Sequence, residues 1–226
     1  MNTLHLYGCS HGLLLTNGSL KKGIWVTENT FGDILAKQLN LLFVNKCAPG
    51  NCNFNIFSKV LSDLSNDAID KDDIVLVQWS HIGRTWVNDD DTEWNIQHSI
   101  IMPHHVDEVG TTKSKLAKIF YRSFYNDFQC FSNMLGWNQT LKDIVGCKYY
   151  WSTSERFTVF DSTHKFLYDK MRLDPTLIAS SHQSPLERMY NLNDKENIFP
   201  CWHATPKGHK LIAEYYYQEM SKNLEM

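Results

Sequence analysis

Ser10 lies in Gly8-Cys9-Ser10-His11-Gly12, a glycine-flanked segment that directly follows a short β-prone run from Thr3 to Tyr7. A serine hydroxyl becomes a nucleophile only when a nearby base takes its proton and donors hold the oxyanion that forms. The glycines leave little side-chain clutter around Ser10, and the side chain is expected to be exposed. His203 is the candidate base. It stands just before Thr205-Pro206, a helix start with Thr205 as N-cap and Pro206 in the first helical position. The positive end of that helix disfavours imidazolium and keeps the ring neutral, as a general base requires. Gly50, in Ala48-Pro49-Gly50-Asn51-Cys52-Asn53, has no Cβ, so its N–H can come close to a substrate oxygen. A third segment, Ser80-His81-Ile82-Gly83-Arg84, offers Ser80, His81 and Arg84 as substrate contacts, and Asn53 joins them from the second. Arg84 suits a carboxylate or a sugar acid as well as it suits an ordinary surface position.

Metal chemistry is a weaker fit. Cys9 with His11 and Cys201 with His203 form two Cys-x-His pairs that the expected fold brings close together. Zinc ligands on one loop more often have two or more residues between them, and small buried thiols account for both cysteines. His104-His105 is expected to be a solvated loop pair. No cofactor and no metal are expected.

The elements that must position these residues alternate along the chain. Phe31, Ile34, Leu35 and Leu39 share one helical face, and Leu41 to Asn45 reads as a second strand. Pro49-Gly50-Asn51 breaks the chain, and Phe54 to Leu64 carries a second helical stripe. Ile74 to Trp79 is nearly all apolar, as in a parallel strand buried on both faces. This strand-helix alternation predicts right-handed crossovers and a parallel sheet. In such sheets ligands collect at the carboxyl ends of the strands, where the three segments above fall. Asn88 to Gly110 has no clean period and reads as an irregular excursion. A long helix is predicted from Ser114 to Leu135, a shorter one from Asn138 to Val145, and a fourth strand from Lys148 to Ser152. Glu155 to Phe199 is ambiguous, with short helices broken by Pro175 and Pro185. Leu211, Ile212, Tyr215 and Tyr216 mark the buried face of the last helix.

The 226 residues suit one α/β domain, with 42% hydrophobic and 21% charged residues. A formal net charge of −3, with Lys and Arg scattered, argues against nucleic acid and against an anionic membrane as partner. No apolar run is long enough to span a bilayer, and the first residues lack the features of a signal peptide. The expected setting is cytoplasm-like, or a phage virion if the source is viral. Six cysteines are too few for a disulfide scaffold. Seven Trp, ten Tyr and twelve Phe are first of all core material, and secondarily a surface on which sugar rings could stack. Oligomeric state is not legible.

In order and spacing, these blocks resemble the SGNH, or GDSL-like, hydrolase superfamily, and most of all a branch common in phages and bacteria whose first motif reads Gly-Cys-Ser. Gly8-Cys9-Ser10-His11 resembles the nucleophile block. Ala48 to Asn53, with Ile56, resembles the block whose glycine N–H joins the oxyanion hole. Asp73 to Trp79, with Ser80 and Arg84, resembles the third strand and its loop. His203, Pro206-Lys207-Gly208-His209 and Ala213 resemble the closing histidine block. The resemblance implies a three-layer α/β/α sandwich with a flavodoxin-like parallel sheet, no cofactor, and hydrolysis of acyl or acetyl esters through an acyl-enzyme. Ser10 and His203 would be its catalytic pair, and the N–H groups of Ser10 and Gly50 its oxyanion donors. Two positions differ from the family pattern. Trp79-Ser80-His81-Ile82 lacks the asparagine that usually completes the oxyanion hole, leaving Ser80 or His81 as replacement donors. The family's acid falls at Pro200, with Cys201 beside it; Asp161, Asp174 and Asp194 are other carboxylates ahead of His203. The expected activity is removal of small acyl groups, with acetyl first, from a carbohydrate or similar polyol. An acyltransferase is a close relative of that activity. The rival reading is a non-catalytic descendant that binds glycan or takes part in virion assembly.

Overall fold

A computed structural model describes residues 2–16, 23–89, 97–101, 115, 117–119, 121, 126–154, 165–179, 184, 196–199 and 203–224. In chain order its elements are β1 (Thr3–Tyr7), a 3-10 turn at Ser10–Gly12, β2 (Leu14–Leu15), β3 (Trp25–Val26), α1 (Phe31–Gln38), β4 (Leu42–Asn45), α2 (Asn53–Ser65), β5 (Ile74–Trp79), β6 (Thr85–Asp89), β7 (Gln97–Ile101), α3 (Asp127–Ile144), β8 (Lys148–Thr153), α4 (Lys165–Arg172) and α5 (Pro206–Leu224). The central sheet is parallel throughout, in the order β4-β1-β5-β8.

The two-residue period of each strand sorts its side chains into two cores. Leu4 and Leu6, Ile74 and Leu76, and Tyr150 pack on one face with Phe31 and Leu35 of α1 and Ile212 and Tyr216 of α5. Tyr7, Val75, Val77, Trp79, Tyr149 and Trp151 pack on the other face with Ile56 and Val60 of α2, Phe131 and Met134 of α3, and Tyr168 of α4. This is the α/β/α sandwich that the family resemblance implied, built on the parallel sheet that the alternation predicted. All six residues of β5 are buried, as its apolar run required. Beyond β8, Ile178 N–H donates to the Trp151 carbonyl and Trp151 N–H to the Thr176 carbonyl, at 2.8 and 3.0 Å. A single parallel bridge between Trp151 and Leu177 therefore stands where a fifth strand would begin.

The capping chemistry follows the sequence closely. Thr30 caps α1 by accepting the Asp33 N–H at 3.3 Å, and Asp33 Oδ2 accepts the Asn29 N–H at 2.7 Å. Thr205 caps α5 by accepting the Gly208 N–H at 3.2 Å.

Two expectations need correction. Part of the stretch read as irregular is ordered: β6 and β7 pair antiparallel, with Thr85 opposite Ile101 and Asp89 opposite Gln97. β-Prone residues at the far ends of the pair (Thr85, Trp86, Val87, Ile100 and Ile101) favour it, and the polar run between them hides the period. The helix boundaries also move. Asn126 is an N-cap whose side chain accepts the Gln129 N–H at 3.0 Å, so α3 begins at Asp127 and runs unbroken past Leu135. Asn138, where a second helix was expected to begin, lies inside α3. Its Oδ1 accepts from Trp79 Nε1 at 3.1 Å and Tyr149 OH at 2.7 Å, which makes it a buried polar splint between helix and sheet. Pro185 and the residues around it lie outside the described set.

Candidate active site

β1 has β4 on one side and β5 on the other, so the loops leaving these three strands diverge around the end of β1. Ser10 sits there, in a tight turn closed by Gly12 N–H to the Cys9 carbonyl and Leu13 N–H to the Ser10 carbonyl, each at 3.1 Å. Ser10 Oγ lies 2.9 Å from His203 Nε2. His203 is held from the other end of the chain. Its carbonyl accepts the Phe199 N–H at 2.8 Å, and Thr205 N–H donates to the Asn197 carbonyl at 2.9 Å. This short antiparallel contact pins the backbone on either side of the ring.

Ser10 is 6% exposed and His11 7%. The expectation of an exposed Ser10 is therefore wrong, because aromatic rings crowd this end of the sheet. The His11 ring stacks on that of His203, with centroids 5.0 Å apart and planes at 24°. Trp25, on β3, meets the His203 ring edge-on at 4.9 Å. His81 meets His11 edge-on at 6.1 Å. Burial, and then the neighbouring His203, His81 and Arg84, push the His11 pKa well below the usual histidine range, so this ring is neutral at ordinary pH.

Hydrogen bonds sew the three loops together. Asn51 Nδ2 donates to the Gly8 carbonyl at 3.0 Å, joining the second loop to the nucleophile loop. Arg84 Nη1 donates to the Asn51 carbonyl at 3.2 Å, bringing in the third. Asn53 Oδ1 accepts the Ser80 N–H at 2.6 Å. Gly50 sits in the second loop at φ 77°, a backbone conformation that glycine takes without the Cβ penalty. Ser80 is fully buried and its Oγ has no hydrogen-bond partner among the described residues. His81 is half-buried, and its carbonyl accepts the Arg84 N–H at 3.1 Å, closing the turn that presents Arg84.

The structure thus gathers Ser10, His203, Gly50, Asn53, Ser80, His81 and Arg84 at one end of the sheet. It rules Asp174 out as the partner of His203. That carboxylate lies beyond β8, where it accepts from Lys142 Nζ at 2.9 Å, Thr176 Oγ1 at 2.7 Å and Trp151 Nε1 at 3.2 Å. Asp161, Asp194, Pro200 and Cys201 lie outside the described residues, as do His104 and His105. Among the described residues no group of three or more His, Cys, Asp or Glu side chains is placed to hold a metal ion. His11 and His203 meet face to face, an arrangement that does not converge their ring nitrogens on one point.

The sequence reading missed three contributors. Trp25 is far from any motif, on a two-residue strand too short to show a period. Asn51 lay within a recognised block, but its bond to Gly8 depends on loop geometry. His209 belongs to the closing block, yet its Nδ1 accepts the Phe31 N–H at 3.1 Å and so caps α1. Its place one turn into α5 was the only available signal.

No protein-family model matches the chain, and no curated protein matches it by sequence. Solved structures do resemble it. A psychrotrophic esterase, EstA from Pseudoalteromonas sp., aligns over 100% of both chains at 10% identity with a TM-score of 0.56. A lipolytic protein of the G-D-S-L family from Veillonella parvula aligns over 96% of this chain and 97% of its own at 8% identity, TM-score 0.52. A family two carbohydrate esterase from Clostridium thermocellum, in complex with cellohexaose, aligns over 99% of this chain and 65% of its own at 12% identity, TM-score 0.52. The fold is that of the GDSL, or SGNH, hydrolases.

Proposed function

We propose that this chain is a serine ester hydrolase that removes small acyl groups, acetyl first among them, from a hydroxyl-rich substrate such as a glycan. The observation that carries the reading is the 2.9 Å approach of Ser10 Oγ to His203 Nε2 at the carboxyl end of the central strands. In the first step Ser10 Oγ attacks the ester carbonyl carbon and its proton passes to His203 Nε2. The oxyanion then collapses, the bond to the alcohol breaks, and His203 returns the proton to the leaving alkoxide. Water repeats the sequence on the acyl-enzyme, releasing the acid and restoring Ser10.

The oxyanion donors are the N–H groups of Ser10 and Gly50 and, as a third, the side-chain amide of Asn53. Ser80 is the poorer candidate because its N–H is already given to Asn53 and its Oγ is enclosed. Asn53 lines an adjoining cavity, and with its oxygen held by Ser80 the amide nitrogen remains as a donor. The fold shared with the cellohexaose-bound esterase supports a carbohydrate alcohol.

Labelling with a fluorophosphonate probe tests this reading, since only an activated serine reacts. Labelling that Ser10→Ala abolishes supports it. An unlabelled parent protein that turns over no short ester favours a non-catalytic glycan-binding or assembly role.

A further inference from the structure

Arg84 holds the loops together with one nitrogen only. Nη1 donates to Asn51, and no other hydrogen bond or ion pair of the guanidinium occurs among the described residues; its Nε is buried without a partner. Arg84 as a whole is half-buried, but an enclosed guanidinium nitrogen left without an acceptor is costly, and an anion in the adjoining space would meet it. Arg84 lines a cavity of about 260 Å³, together with Cys52, Asn53, Phe54, Ile82 and Trp137. Cys52 is the N-cap of α2, and the first turn of α2 carries no acidic residue. The partial positive charge of the helix end therefore adds to that of the guanidinium. None of the described residues lining the cavity is acidic. Asn51, which bonds both Gly8 and Arg84, ties this wall to the nucleophile loop.

We propose that this cavity is a subsite for an anionic group of the ester substrate, a carboxylate or a phosphate, held by Arg84 and the N-terminus of α2. The proposal rests on the serine hydrolase reading for the reaction, but binding tests it without turnover. Ser10→Ala protein is titrated calorimetrically at low salt with 4-acetoxybenzoate, 4-acetoxyphenyl phosphate and the neutral 4-acetoxybenzamide. At least one anion should bind about tenfold tighter than the amide, the margin of one charge-assisted hydrogen bond over a neutral one, and the better anion identifies the group. Adding Arg84→Gln should bring that ratio to about one, while Arg84→Lys keeps part of it because the charge remains. Anions that bind no tighter than the amide overturn the proposal, as does a preference that survives Arg84→Gln. Failure of the hydrolase reading shows separately, as absent fluorophosphonate labelling of the parent protein.

Discussion

Replacing His209 by asparagine should yield a protein whose stability falls about 2 kcal/mol less between about pH 7 and about pH 5 than the parent's does. The His209 side chain is fully buried, and its Nδ1 lone pair accepts the first free N–H of α1, that of Phe31. A ring protonated at Nδ1 loses that acceptor and places a charge where water cannot reach it. Burial, with the neighbouring His203 adding to it, pulls the pKa down to about 4, against about 6.5 for an unfolded histidine. Between those values the unfolded chain binds a proton that the folded chain refuses. The stability present above pH 6.5 is therefore lost as the pH falls, and the loss ends near pH 4, where the folded ring also titrates. Integrating the linkage gives about 2 kcal/mol lost from pH 7 to pH 5 and about 3 kcal/mol by pH 4. Asparagine Oδ1 can replace Nδ1 as acceptor for Phe31 and does not titrate. Urea unfolding followed by tryptophan fluorescence, run on both proteins at the two pH values, gives the double difference, expected at about 2 kcal/mol. The carboxylates of Asp63 and Asp73 resist burial through hydrogen-bonded partners that hold their pKa low, so their contribution is lost only at more acid pH and cancels between the proteins. Equal losses in parent and variant would refute the claim that a neutral His209 caps α1.

Four further outcomes are expected. Ser10→Ala should abolish turnover of p-nitrophenyl acetate and lower the melting temperature by only a few degrees, since about 1 kcal/mol of hydrogen bonding to His203 is lost; full activity in that variant sinks the hydrolase reading. Asn53→Asp keeps an oxygen for the Ser80 N–H but removes the amide donor, so kcat/KM should fall roughly 10²-fold or more with the fold intact, and unchanged kinetics would exclude the amide from the oxyanion hole. Pro200→Asp, and less so Cys201→Asp, should raise kcat on a simple ester with KM little altered, because a carboxylate beside the base acts mainly in the transition state; if both variants are slower, another group already orients His203. Gly32→Ala should destabilise by about 1–3 kcal/mol despite alanine's better helix propensity, because its Cβ would lie 2.7 Å from Leu6 Cδ2 and the Phe43 ring; a melting temperature at or above the parent's would show that α1 can move away from the sheet.

The layers of the fold were legible because burial leaves a period. The stripe through Phe31 and Leu35 and the continuous run of β5 each required a partner surface, and only one parallel sheet covers them all. The helix boundaries around Asn126 and Asn138 were not legible from type alone. Both are asparagines ahead of apolar residues, but one caps a helix and the other bridges Trp79 and Tyr149 in the core. A cap is decided by a local backbone angle, whereas a splint is decided by what a distant strand brings to it. The same limit applies at the site. Ser10 and His203 could be paired from motif order, but the stacking of His11 on the His203 ring and the edge-on contact of Trp25 depend on tertiary packing that leaves no local sequence pattern.

The side chains that looked chemically unusual in the sequence have two tasks in the structure, and the tasks fall on different atoms. Asn53 accepts the Ser80 N–H with its oxygen and keeps its nitrogen. Arg84 gives Nη1 to the Asn51 carbonyl and keeps the rest of its guanidinium. Asn51 donates its side-chain amide to the Gly8 carbonyl and accepts from Arg84 with its own carbonyl, and has become wholly part of the frame. Such a division follows from where these residues sit. Loops at the end of a parallel sheet carry backbone groups that no strand satisfies, and polar side chains must pair them before any can face a substrate. Truncation to alanine therefore removes frame and chemistry together, and a lost activity would not say which was lost. Substitutions that keep the framing atom and change the other, as Asn53→Asp does, separate the two. They make the difference between a site that binds and a site that catalyses measurable one atom at a time.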